Sequence, residues 1–137
     1  MKKIFPNSTV VITNHFDVHQ DWEVPIPGFF IVASKRKITS ISEFTDIEAQ
    51  EYIFLIRKLR KGMKEELGIE NVCFFQNEDS EHGFHVWVFP RLEWMEDFGK
   101  KIESVRPIIQ HAKKNMNTKE VHTQVEEYVK NMKKYME

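Results

Sequence analysis

A second cysteine is missing from this chain. Cys73 stands alone, so no internal disulfide can brace the fold, and its apolar neighbours Val72, Phe74 and Phe75 suggest a buried thiol. A surplus of one charge is missing too. The net charge is −1, whereas a non-specific nucleic-acid binder usually carries a basic excess. Six His make the true charge pH-dependent below neutrality. No apolar run approaches membrane-spanning length, and the one after Met1-Lys2-Lys3 is too short for a signal peptide. Repeats, low-complexity blocks and a second domain are also absent. The expectation is a soluble cytoplasmic protein with neither membrane nor nucleic acid as partner. Its 137 residues suffice for one domain and one core, and eleven Phe with three Trp make that core bulky.

Read in order, 8–14 is a strand, and 15–20 is its continuation or hairpin partner. His15 and His19 could line up on one strand face, but a metal site needs further ligands that the pattern does not supply, so both read as ordinary polar residues. Asp21 to Gly28, with Pro25 and Pro27, is a loop. It could offer the Asp21 carboxylate as an acceptor and Trp22 as a flat apolar surface; as an acidic turn it needs no function. The apolar run 29–34 is short enough for a central strand, and Lys35-Arg36-Lys37 is a solvated strand end that could attract phosphate.

Thr45-Asp46-Ile47-Glu48 fits a capping box opening the long helix. Tyr52, Ile56, Leu59, Met63 and Leu67 recur at helical spacing as its core stripe, Gly62 weakens its interior, and Gly68 ends it. The segment 71–77 is a strand, joined by a short polar turn to the strand that follows, so the two predict a hairpin. Asn77, Glu78, Asp79 and Ser80 in that turn offer polar groups to a ligand, although turn residues need no such task. Beyond Arg91 the chain is helical, with Pro107 in the first turn of a helix reaching Asn115 and Thr118 capping a last one with Val121, Val125, Tyr128 and Met132 at core spacing. His111 and His122 read as surface residues. Strands segregated from helices predict an α+β fold with an antiparallel sheet.

The chemistry concentrates in Ser80-Glu81-His82-Gly83-Phe84-His85-Val86-Trp87-Val88-Phe89-Pro90-Arg91. From Phe84 to Phe89 the residues alternate as in a strand that Pro90 ends. Gly83, His85, Trp87 and Phe89 then share one face, and Phe84, Val86 and Val88 point to the core. An imidazole on a rigid strand, opposite the apolar face, is well placed to act as nucleophile or general base. It can equally be a half-buried histidine without a task.

This arrangement resembles the histidine triad (HIT) superfamily, in particular bacterial HIT proteins of the diadenosine polyphosphate hydrolase type. That family has an early strand pair, a loop with Asp ahead of a Gly-His strand ending Pro-Lys-x-His, a long helix, a strand ending in Asn, and the signature His-φ-His-φ-His-φ-φ, where φ is apolar, often completed by Pro-Arg. The resemblance covers roughly residues 10–91. Gly28 fits the Gly of the Gly-His pair, with Phe29 in place of its His; Lys35 is kept and Lys37 replaces a further His. Asp21 falls where the family's acidic residue contacts ribose, and Asn77 where its Asn precedes the triad. The phosphate-contacting loop is shortened, with Ser80 as its remnant. Aligned on Phe89-Pro90-Arg91, the triad positions are Gly83, His85 and Trp87, which makes His85 the central nucleophile. A second register puts His85 first and Trp87 at the nucleophile position, a dead site. His82 could supply the lost first imidazole, but strand alternation points it to the other face unless a bulge redirects it.

The resemblance implies an α+β domain over residues 1–137, with a core at 8–95 comprising about five antiparallel strands and one long helix, and a helical extension at 96–137. It implies a nucleotide or dinucleoside polyphosphate as partner, a homodimer built through the long helix and a sheet edge, and neither cofactor nor metal. The implied chemistry is attack of His85 on the α-phosphorus and hydrolysis of a nucleotidyl-histidine, with Asp21 on the ribose, the base against Trp22, and Asn77, Ser80, His82 and Trp87 around the phosphate. Trp87 cannot replace a third imidazole, because indole only donates. A leaving group that needs no proton, such as a polyphosphate, would suffer least. Two rivals stand beside the enzyme: a nucleotide-binding sensor or scaffold without catalysis, and a purely structural domain.

Overall fold

The computed structural model describes residues 3–137. Met1 and Lys2, where the leader reading begins, lie outside the described residues. Five strands form one sheet: β1 (Thr9–Ile12), β2 (Phe16–Gln20), β3 (Phe30–Ser34), β4 (Val72–Phe75) and β5 (His85–Pro90). Their order across the sheet is β1-β2-β3-β5-β4, and every pairing is antiparallel. The α+β class, the strand count and the β4–β5 hairpin agree with the sequence reading, and of the two readings of 15–20 the hairpin partner is the one observed.

Helix α1 (Asp46–Leu67) starts as its first four residues dictate. The Thr45 hydroxyl accepts the Glu48 N–H at 3.2 Å, and the Glu48 carboxylate accepts the Thr45 N–H at 2.9 Å. Glu48 also receives Arg36 through Nη2 at 2.8 Å and Nε at 3.2 Å, so the middle residue of the basic cluster clamps the helix start to the end of β3. At the other end Gly68 takes the left-handed conformation, with φ of 67°.

The two faces of the sheet are covered differently. On one, Phe16, Val18, Phe30, Val32, Val86 and Val88 pack under α1 and the C-terminal helix α3 (Lys119–Met136), whose Val125, Val129 and Met132 are buried in the same core. The stripe of Val121, Val125, Tyr128 and Met132 read at core spacing does face the core, and α3 completes it. A Cβ on Gly62 would lie 2.6 Å from the Tyr135 ring and 2.8 Å from the Met132 methyl, so the glycine that weakens α1 is what lets α3 come this close.

The other face, the one that carries His85, is itself half covered. Phe29, Ile31 and Phe89 form a second core with Met95, Val105 and Ile108, brought by a short 3-10 turn (Glu93–Phe98) and by α2 (Val105–Asn115). Phe89 is completely buried. Arg91 anchors this cover by donating to the Gly99 carbonyl and, at 3.4 Å, to the Ser104 hydroxyl. Cys73 is half-buried at its edge rather than buried. The other half of the face, around His85, stays uncovered. No helix among the described residues is long and apolar enough to cross a membrane.

Candidate functional site

The cross-strand register fixes which side chains meet on the uncovered half. Asp17 pairs with Ala33 and Ala33 with His85, which makes one row across the sheet. His19, Ile31, Trp87 and Phe75 make the next. Side chains on paired residues stand on the same face. The small Ala33 leaves a low floor beside His85, and the bulky Trp87 forms a ridge.

Two cavities flank that ridge, and His85 and Trp87 line both. The first, about 350 Å³, has Ile31 and Ala33 as floor, His19, Asp21, Trp22 and Glu23 on one wall, and His82, Gly83 and Phe84 on the other. The second, also about 350 Å³, is lined by Phe75, Gln76, Asn77, Ile102 and Val105. Among the described residues no Lys or Arg lines either one.

His85 is oriented by the chain just before it. Its Nδ1 lies 2.9 Å from the Gly83 carbonyl oxygen. A carbonyl only accepts, so the bond requires the proton on Nδ1, and in the neutral ring the lone pair is left on Nε2. A histidine held this way presents its lone pair at one defined atom, Nε2.

The wall opposite is built from the loop between β2 and β3. Gln20 is fully buried, and its Nε2 donates to the Ile26 carbonyl at 2.9 Å, which ties the loop down. Asp21 Oδ1 accepts the Glu23 N–H at 3.0 Å and the Val24 N–H at 2.8 Å. No hydrogen bond to Oδ2 occurs among the described residues, which leaves that oxygen to a ligand. Burial pushes the Asp21 carboxyl up from its ordinary value, against the two N–H groups that pull it down. Gly28, at φ of 86°, lets the loop turn into β3.

Trp22 lines the cavity, with one indole face stacked on His19 at 4.3 Å and 8°. The Lys3 ammonium lies 3.6 Å from the centre of the same indole. The flat surface is therefore a Trp22–His19 pair rather than a bare indole. His19 Nδ1 is held by the Gln20 carbonyl at 2.8 Å.

The structure collects most of the residues singled out in the sequence. His85, Trp87, Asp21, Trp22 and His82 meet at the first cavity, and Asn77 lines the second, its amide donating to Asp79 Oδ1 at 2.9 Å. Ser80 lines neither; its hydroxyl donates to the His82 carbonyl at 3.2 Å. The placement of His82 corrects the alternation argument. β5 begins at His85, so residues 81–84 have no strand period, and the His82 ring stands 6.0 Å from the His85 ring at the same cavity. His15 and His19 do not line up either. His15 lies in the turn before β2, where Nδ1 meets Glu51 of α1 at 2.8 Å.

His19, Glu23, Gln76, Ile102 and Val105 were missed. His19 had a usable signal, because it stands two residues before Asp21, near the end of β2. Ile102 and Val105 had none, because they arrive from a distant segment.

No family model matches the sequence, and no curated protein matches it. Solved structures do. A member of the HIT family from Bacillus subtilis is similar over 86% of this chain and 99% of that one, with a TM-score of 0.58 at 20% identity. The chain has the HIT fold. A hypothetical histidine triad nucleotide-binding protein from Sulfolobus tokodaii shares it over 92% of this chain and 85% of that one, with a TM-score of 0.55 at 14% identity. The NitFhit protein of C. elegans is similar over 78% of this chain, which spans only 27% of that protein, with a TM-score of 0.55 at 17% identity. At these identities the likeness speaks for the HIT fold, and the residues of the site must carry the chemistry.

Proposed function

We propose that this chain is a divergent HIT-type nucleotide hydrolase that works through a nucleotidyl-histidine on His85. The observation that carries the reading is the His85 ring, its Nδ1 bonded to the Gly83 carbonyl and its side chain bordering two open cavities. Nε2 attacks the α-phosphorus, and water then hydrolyses the covalent intermediate. The nucleoside occupies the first cavity, with Asp21 Oδ2 accepting from ribose hydroxyls and the base beside the His19–Trp22 stack. The leaving group occupies the second. The nucleotide-binding name of the Sulfolobus tokodaii protein supports the ligand class.

A dinucleoside polyphosphate is the substrate that the HIT resemblance suggests. The lining residues favour a nucleotide bearing one charged phosphate and an uncharged leaving group. A polyphosphate chain carries several negative charges, and neither cavity has a Lys or Arg among the described residues to meet them. The wall of Phe75, Trp87, Ile102 and Val105 suits an apolar leaving group instead.

Incubation with diadenosine polyphosphate and, separately, with an adenosine phosphoramidate tests both levels. Turnover that vanishes in His85→Ala supports the enzyme, and the preferred substrate decides the leaving group. Binding without wild-type turnover supports a sensor or scaffold; no binding leaves a structural domain. A homodimer belongs to the same proposal. α1 exposes Ile47, Ile53 and Phe54, and edge strand β4 exposes Phe74. Sedimentation of the wild type beside Phe54→Asp checks it, a monomeric wild type being the refuting result.

A further inference from the structure

We propose that His82 is the proton donor and acceptor for chemistry at His85, doing the work that Trp87 cannot do. This rests on the reading of His85 as the nucleophile, and it adds a residue that the triad pattern does not contain.

Three observations converge on His82. First, it lines the same cavity as His85, the ring centres 6.0 Å apart and the planes at 83°. That spacing is too long for the rings to hydrogen-bond each other, and short enough for one atom of a bound substrate to touch both. Second, His82 is free. Each of the other five histidines has a ring nitrogen engaged: His15 with Glu51, His19 and His85 with backbone carbonyls, His111 with Asn115 and His122 with Asn117. Among the described residues neither ring nitrogen of His82 has a partner. A proton carrier must be able to release its proton, and a ring already held at one nitrogen is less able to turn toward a substrate. Third, the backbone around it is pinned. Ser80 Oγ donates to the His82 carbonyl, and the next carbonyl, that of Gly83, holds His85. One short turn therefore sets the nucleophile and the free imidazole relative to each other.

Nε2 of His85 bonds to phosphorus while the bond from phosphorus to the leaving atom breaks. The His82 imidazolium gives its proton to that atom, which departs as a neutral amine or alcohol. Water then attacks the phosphorus, neutral His82 takes its proton, and the bond to Nε2 breaks. Nucleotide and free His85 result, with His82 recharged. A leaving group that must be protonated, which Trp87 cannot serve, becomes accessible. The titratable groups facing this cavity besides His82 and His85 are His19, Asp21 and Glu23, and Glu81 adjoins His82 in the chain.

The test compares two probes on the full-length wild type and His82→Ala: an alkylamine phosphoramidate of adenosine monophosphate, whose amine must be protonated, and the p-nitrophenyl ester, whose phenolate leaves unaided. In single turnovers, which isolate formation of the nucleotidyl-histidine, the expected result is a loss of about 10²–10⁴-fold for the phosphoramidate, with the burst of p-nitrophenolate released at nearly the wild-type rate; the hydrolysis step that follows uses His82 for both probes and slows for both. The fall of phosphoramidate turnover at high pH should disappear in the variant, and added imidazole should restore rate. Since His82 is exposed, the variant should fold, and the size of its p-nitrophenolate burst reports that directly. Equal losses on both probes in the burst phase, or no loss on either, overturn the role of His82 alone. A wild type inert toward both probes overturns the His85 reading and this proposal with it.

Discussion

Removing α3 is the sharpest test of how this fold is held together. A chain ending at Asn117 loses Val125, Val129, Met132 and Met136, each at most 6% exposed. At about 1.5–3 kcal/mol per fully buried side chain, that is roughly 6–12 kcal/mol of hydrophobic stabilisation. It equals most or all of the total stability of a domain this size, about 5–15 kcal/mol. The deletion also strips the cover from Leu59, Met63 and Val10, which share that core. The truncated chain should therefore have no cooperative urea transition by circular dichroism, and Met132→Ala should lower stability by about 2–5 kcal/mol in the full-length chain. A truncated chain that unfolds cooperatively at the wild-type midpoint would refute the argument and restore α3 to the status of an appendage.

Two further outcomes follow from the carboxylates. The Arg36 guanidinium, helped by the Thr45 N–H, lowers the Glu48 carboxyl from 4.5 to about 2. A depressed carboxyl contributes stability that is complete above its ordinary value and is lost as the pH falls through the folded one. The advantage of wild type over Glu48→Gln should thus be full at pH 6 and shrink between pH 4.5 and about 2, as denaturant titrations can show; a constant gap across that window would sink the idea. Asp21 has the opposite sign, because burial raises its carboxyl above 3.8. Its charge costs stability at neutral pH. Asp21→Asn keeps an Oδ1 to accept the Glu23 and Val24 N–H groups, so its melting temperature at pH 7 should rise above wild type, with the gain fading in acid, while nucleotide affinity falls. A variant less stable at pH 7 would contradict this.

The parts legible in the sequence obey local rules. The capping box at Thr45 and Glu48, the left-handed Gly68 and the Thr118 cap each depend on three or four adjacent residues, and each appears as read. Alternation placed Val86 and Val88 in the core and His85 on the other face, because β5 is a regular strand from His85 to Pro90. The same reasoning failed at His82, where the chain is a turn and side-chain direction has no period. It failed at His15 for the same reason: the ring lies in a turn and Glu51, 36 residues away, captures it.

The order of apolar, small and capping residues along the chain was enough to determine the strand segments, three helices and one imidazole on a strand, since each depends on neighbours a few positions away. Only the tertiary structure decided which sheet face α3 packs on, that 93–116 covers half of the second face, and that His19, Asp21 and His82 converge on His85. Those contacts join residues tens of positions apart, and they depend on cross-strand register and on which segment returns to which face. Such choices are settled by packing the whole chain at once, and no local pattern records them.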